Sequence, residues 1–193
     1  MEEYATDASL TFRVADMNSE HDYRTFLDGV QPAFDAAVRD KYGEEFGAHS
    51  EHGESVMPES DVRESWGKQG AQAFFASRNG CVVGGAIAAP EKGDTPENME
   101  LEILYVDVKA HGQGIGSGLW EYVSAQYPSA QKWTLYTPYF EVRNIHFYVN
   151  KLGFVITEFF NEKHPMSDGA VETFPSGELF FKFEKDMQTA GQR

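Results

Sequence analysis

The chain has 193 residues, of which 41% are hydrophobic and 14% aromatic, so composition predicts one globular domain over 1–193 and excludes an intrinsically disordered chain. Its formal net charge is −15, whereas nucleic-acid binding requires a basic face, so we expect no nucleic-acid partner. We see no signal peptide and no apolar run of the roughly 20 residues that span a bilayer, and therefore expect a cytoplasmic protein with no membrane partner.

The N-terminal third predicts a strand and two helices. Leu10–Val14 has the pattern of a short strand, and Ser19-Glu20-His21-Asp22 matches a capping box ahead of apolar residues at helical spacing. Pro32 falls inside that helix and should kink or divide it. Gly43–Met57 is polar and predicts a loop, after which Pro58 begins a second short helix.

The rest of the chain alternates strand and helix patterns. Ala71–Ser77 and Val82–Ala88 flank an Asn-Gly pair, which predicts a hairpin. Met99–Val108 carries apolar residues on both faces, as a central strand does. The remaining elements are a helix from Ile115, a strand over Lys132–Thr137, a helix closed by Gly153, strands over Phe154–Phe160 and Leu179–Phe183, and a long loop over Asn161–Gly177.

A glycine-rich segment joins the central strand to the helix that follows it. It reads His111-Gly112-Gln113-Gly114-Ile115-Gly116-Ser117. Glycines let a ligand approach the backbone, and the free amides of a helix start favour an anion, so the segment predicts a phosphate or pyrophosphate cradle. The spacings of the dinucleotide-binding and P-loop motifs both fail here, which disfavours a nucleotide site. A plain strand-to-helix turn is the structural alternative.

These residues resemble the GNAT superfamily of acyl-CoA N-acyltransferases. The family's Arg/Gln-x-x-Gly-x-Gly/Ala motif corresponds to His111–Gly116, and its aromatic-Tyr and Gly-Phe pairs correspond to the two ends of Phe147–Phe154. The motifs lie in the expected order, and the resemblance covers roughly 71–185. Two positions depart from the pattern, because His111 replaces Arg or Gln and Glu141 stands where Asn is common. Asn144 lies about one turn later and is not assigned that role.

The resemblance implies an α/β protein with a mixed, mostly antiparallel, splayed sheet flanked by helices. The two leading helices, about 19–70, would lie on the acceptor side, and 71–185 would form the core. Acetyl-CoA would lie between the strand ending at Val108 and the strand starting near Lys132. Its pantetheine would pair with backbone near Val106 and Val108, and the glycine-rich segment would hold its pyrophosphate.

Acetyl transfer by direct attack needs a neutral amine, a polarised carbonyl and a proton for the departing thiolate. The resemblance makes Glu102 the candidate base, directly or through water, with Glu100 in reserve because it points the same way by strand alternation. It makes Tyr148 the candidate general acid. The structural alternatives are a polar strand residue and a core aromatic. His49 and His52 lack a visible third ligand, so we expect no metal site.

The sequence therefore predicts an N-acetyltransferase that uses acetyl-CoA and a primary amine of a small molecule or peptide. A non-catalytic acyl-CoA-binding sensor or regulatory module is the alternative. Residues 1–70 hold sixteen acidic against six basic residues, which favours a cationic acceptor, although solubility would explain the same charge. The carboxylates expected near the acceptor are Glu44, Glu45, Glu51, Glu54, Glu59 and Asp61. The choice of acetyl or longer acyl donor, and of monomer or homodimer, stays open.

Overall fold

The computed structural model describes residues 10–43, 55–91, 96–166 and 179–187. Seven strands form a single sheet in the order β1-β2-β3-β4-β5-β7-β6. The elements are β1 Leu10–Val14, α1 Glu20–Tyr42, α2 Glu59–Gly67, β2 Gln72–Arg78, β3 Cys81–Pro90, β4 Asn98–Val106, α3 Ile115–Ala125, β5 Lys132–Pro138, α4 Val142–His146 with a π-helical continuation over Phe147–Lys151, β6 Val155–Phe160 and β7 Phe180–Asp186.

The sheet is mixed and mostly antiparallel, which confirms the predicted fold class. Only β4 and β5 pair in parallel among the described strands; the other neighbours are antiparallel. Successive strand residues point to opposite faces of the sheet, so apolar side chains lie on both faces. Helices cover both of these faces. Phe74 packs in a core with α3 and the Tyr148 segment, whereas Phe75 packs in a second core with α1 and α2.

A β-bulge interrupts the pairing of β3 with β4 at Glu102. Ile87 lies opposite Ile103 while the next residue, Ala88, lies opposite Leu101, so Glu102 is the extra residue on β4. In an unbroken strand Leu101 and Ile103 would share a face. Here Leu101 belongs to the α3 core and Ile103 to the α1 core. The bulge therefore lets β4 supply apolar side chains to both layers.

β4 and β5 separate soon after they meet. Their parallel pairing runs from Asn98 opposite Lys132 to Glu100 opposite Thr134, and beyond it no strand of the described chain pairs with β4 on that side. The predicted splay of the sheet is confirmed. The predicted end of the strand at Val108 was wrong, because β4 stops at Val106 and Val108 begins a 3₁₀ turn. The Asp107 carboxylate caps that turn by accepting the Lys109 backbone N–H at 2.9 Å.

Helix α1 runs unbroken through Pro32, so of the two predicted effects of this proline, a kink or a division, the division does not occur. The helix begins where the Ser19 hydroxyl accepts the Asp22 backbone N–H at 3.2 Å, as the capping box predicted. Pro32 itself is exposed, whereas Val30 and Val38, on either side of it, are buried. Burial of this apolar face outweighs the hydrogen bond that proline removes.

No helix in the described ranges is long and apolar enough to cross a membrane.

Replacing Pro32 with alanine should stabilise the protein. Alanine restores a helical N–H donor and removes the clash of the proline ring with the preceding turn, an effect worth up to about 3 kcal/mol in helix interiors. We expect the free energy of unfolding in urea to rise by about 1–3 kcal/mol for Pro32→Ala, and to change little for Arg39→Ala, an exposed control on the same helix. An unchanged or lower value for Pro32→Ala would contradict this account of the helix.

Candidate active site

A cleft of 1910 Å³ opens where β4 and β5 separate. It brings together most of the residues that the sequence singled out, from the glycine-rich segment, the central strand and the second motif. These residues are Glu100, Glu102, Val106, His111, Gly112, Gly114, Ile115, Gly116, Ser117 and Tyr148. Two predicted residues lie elsewhere: Val108 lines a smaller neighbouring recess, and the Gln113 side chain contacts Arg78.

Two glycines leave the start of helix α3 open toward the cleft. Gly112 and Gly114 have φ angles of 76° and 77°, a region that side-chain-bearing residues rarely adopt. A Cβ atom added to either would meet nothing within 4 Å. Gly116 differs, because its added Cβ would lie 3.1 Å from the Phe147 ring, so this glycine serves packing. The first N–H groups of α3 have no intrahelical partner, and the open space lets an anion reach them.

His111 is engaged on both sides of its ring. Its Nε2 donates to the Val106 carbonyl oxygen at 2.9 Å, so Nδ1 is the acceptor and takes a hydrogen bond from Arg143 Nη1 at 2.5 Å. Arg143 lies in α4, is exposed and lines the cleft. It therefore supplies a permanent cation beside the position where the family's motif has Arg or Gln. Sequence reasoning missed Arg143, because the contact joins residues 32 positions apart.

The two carboxylates of β4 share one lysine. Lys68 follows α2 directly, and its Nζ donates to Glu100 Oε2 at 3.0 Å and to Glu102 Oε1. Ser65, in the last turn of α2, donates its hydroxyl to Glu102 Oε2 at 3.4 Å. Both carboxylates therefore face Lys68 and the end of α2, the common orientation that was expected for Glu100 and Glu102. The contact of Lys68 with these carboxylates could not be predicted, since no local pattern in the sequence relates Lys68 to the strand.

The environment of Glu102 sets its protonation near neutral pH. Burial, and then the charge of Glu100, raise the pKa of Glu102 to about 7, although Lys68 acts in the opposite direction. Hydrogen bonds to the two carboxylates raise the pKa of Lys68 despite its burial, which keeps its ammonium charged. A carboxyl group with a pKa near 7 is matched to accepting and releasing protons at physiological pH.

Tyr148 is buried at the inner wall of the cleft, in the π-helical continuation of α4. Its ring packs against Phe183 and Phe154, with centroids 5.8 and 6.1 Å apart. Burial, and next the charge of Glu141, raise the pKa of the Tyr148 phenol well above its usual value. The phenol is therefore protonated at neutral pH and can donate a proton.

Part of the predicted acceptor side lies outside the described residues, including Glu44, Glu45, Glu51, Glu54 and both candidate histidines, His49 and His52. Of the two acidic residues that are described, Asp61 lines the cleft. Glu59 is paired with Arg24 and Arg63 instead. Within the described ranges, no group of three or more His, Cys, Asp or Glu side chains is placed to hold a metal ion.

Comparison with known proteins supports the resemblance independently. Residues 35–154 match the model of the acetyltransferase (GNAT) family. A Bacillus subtilis (strain 168) protein, the uncharacterized YrkN, is 36% identical over 181 residues, which cover 91% of this chain and 94% of that protein.

Solved structures of N-acetyltransferases share the fold at low sequence identity. The ribosomal-protein-S18-alanine N-acetyltransferase of Escherichia coli superposes with a TM-score of 0.63 at 17% identity, covering 92% of this chain and 94% of that one. The PaiA N-acetyltransferase of Thermoplasma acidophilum, in complex with coenzyme A, gives 0.62 at 16% identity, with coverage of 92% and 99%.

Proposed function

Because the chain belongs to the GNAT acetyltransferase family, we propose that it transfers the acetyl group of acetyl-CoA to a primary amine within a ternary complex. One observation carries the proposal. The cleft between β4 and β5 joins an open glycine-rich helix start to a carboxyl group with a pKa near 7 and a protonated phenol. Such an arrangement offers an anion cradle, a base and an acid along one opening.

In this proposal the cofactor lies along the separated edge of β4. Its pyrophosphate accepts hydrogen bonds from the amides of Gly112–Ser117, and the guanidinium of Arg143 adds positive charge beside His111. The pantetheine follows the backbone near Val106, on the side of β4 that β5 leaves free. The coenzyme A complex of the Thermoplasma acidophilum relative supports a coenzyme A ligand for this fold.

The transfer then proceeds by direct attack. Glu102, or a water next to it, takes a proton from the acceptor ammonium, and the freed nitrogen lone pair attacks the thioester carbonyl carbon. A C–N bond forms, the nitrogen releases its second proton to water in the cleft, and the C–S bond breaks, giving an amide and a thiolate. Tyr148 protonates the thiolate, so that free coenzyme A leaves, and the phenolate then regains a proton from water. In the described residues both groups line the same cleft, which supports this sequence of steps.

We also propose that the acceptor is a cationic amine of a small molecule or a basic peptide. Glu91 after β3 lines the cleft but is already paired with Lys132. The other carboxylates that support the proposal come from two elements, Asp61 and Glu64 of α2 and the pair on β4. They attract a cation and repel an anion. The attraction between exposed charges is screened beyond about 8 Å at physiological salt, so acceptor affinity should weaken as salt rises.

Acetyl-CoA should raise the melting temperature of the protein, and Gly114→Val should abolish the rise. A ligand at one hundred times its Kd stabilises the folded state by about 2.7 kcal/mol, roughly 5–10 °C for a chain of this size. The valine side chain would fill the space reserved for the pyrophosphate. Gly80→Val is the matched control, because Gly80 has nearly the same φ of 78° and equally open surroundings at the β2–β3 turn. Equal rises in melting temperature for both variants would show that the glycine-rich loop does not bind the cofactor.

The second test is a panel of primary amines with acetyl-CoA, measured as release of coenzyme A thiol. Tyr148→Phe should lower kcat by about 10²–10⁴-fold, while Tyr127→Phe, at a half-buried tyrosine packed on Trp133, should not. In the wild type, kcat/KM should fall below pH 7 as Glu102 becomes protonated. Glu102→Gln should lower the rate most at neutral pH, remove that dependence and recover partly at high pH. Release by no amine, with acetyl-CoA still bound, would favour the non-catalytic alternative.

A further inference from the structure

Lys68 places an ammonium group inside the cleft, against both carboxylates of β4. Its Nζ lies 3.0 Å from Glu100 Oε2 and also contacts Glu102 Oε1. The side chains are 27%, 17% and 12% exposed for the lysine, Glu100 and Glu102, so solvent does not separate the charges. The structure thus already contains a primary alkylammonium bound between the two carboxylates, and that alkylammonium belongs to the protein itself.

This contact competes with the proposed role of Glu102. A base must meet the acceptor ammonium, but here the Lys68 ammonium already lies against Oε1 of Glu102, and Ser65 donates to Oε2. Each carboxylate oxygen can accept a second hydrogen bond, but a second ammonium at the same carboxylates would be repelled by the nearby charge of Lys68. An acceptor therefore binds there best after Lys68 has moved away, and a lysine side chain moves readily because four rotatable bonds separate its ammonium from the backbone.

From this geometry we infer that Glu100 and Glu102 form the binding seat for the acceptor's ammonium group, which Lys68 occupies as an internal competitor until an acceptor displaces it. The inference rests on the proposed function. The ligand class is a primary alkylammonium, since the seat already holds one. Its alkyl chain would follow the apolar lining that Phe34, Ala37 and Met57 contribute to the cleft. An α-amino acid fits less well, because its own carboxylate would approach Glu100.

The competition by Lys68 can be expressed as a fold-change in acceptor affinity. A group tethered by a short linker acts at an effective concentration in the millimolar range, so Lys68 competes with free amines continuously. If Lys68 holds the seat in about nine molecules of ten, the apparent affinity for an acceptor is reduced about tenfold relative to the empty seat. Removing the charge of Lys68 while keeping the length of its side chain should therefore raise the affinity for the acceptor about tenfold.

The test measures binding of 1,5-diaminopentane to the coenzyme A-loaded protein by calorimetry at pH 8.5 and again at pH 9.5, because removal of Lys68 raises the pKa of Glu102 above its value of about 7, while an alkylamine is still mostly charged. Lys68→Met should lower the Kd about tenfold or more, and Lys68→Arg, which keeps the cation, should not lower it. Lys185→Met is the matched control, because Lys185 is also a partly buried lysine but lies on β7 outside the cleft lining and donates to the Leu152 carbonyl oxygen. It should leave the Kd unchanged.

A Kd in Lys68→Met that equals or exceeds the wild-type value, or no binding to that variant, would overturn the inference. If Lys68→Met does not fold, as judged from the melting temperature with and without coenzyme A, Lys68→Gln replaces it with the same expectation. Failure of the proposed function has a different signature. Amine binding would then respond to Lys68→Met as expected, but neither the wild type nor the variant would release coenzyme A thiol from acetyl-CoA.

Discussion

Adjacent parallel strands normally pair along their length, and here β4 and β5 do so over only three residue pairs before they separate. The separation exposes one edge of β4 and creates the cleft in the middle of the sheet. The glycine-rich start of α3, the carboxylates of β4 and the Tyr148 segment all face this opening because each is attached to one of the two separating strands. Every functional statement about this protein therefore depends on that divergence.

The bulge at Glu102 adds an electrostatic constraint to this geometry. Glu102, the extra residue at the bulge, lies beside Glu100 in a partly buried wall, and two buried like charges are unfavourable unless a cation neutralises them or one takes up a proton. The protein uses both responses, since Lys68 bridges the pair and the pKa of Glu102 rises to about 7. The same environment therefore both raises the pKa of Glu102 and holds a lysine against its carboxylate.

The sequence predicted those features that depend on short-range patterns. The Asn79–Gly80 hairpin turn, the Ser19 cap, the glycine-rich loop and the order of strands and helices were confirmed because each is encoded within a few residues. The roles of Lys68 and Arg143 could not be predicted, since each acts on a residue more than thirty positions away. The bulge at Glu102 and the continuity of α1 through Pro32 also follow from packing that no local pattern reports.

A structure of the protein crystallised with coenzyme A tests the central claim most directly. We predict electron density for the pyrophosphate against the amides of Gly112–Ser117 and for the pantetheine along the free edge of β4, with its sulfur directed into the cleft toward Tyr148 and Glu102. Density for coenzyme A at any other surface, with the opening between β4 and β5 empty, would contradict the account.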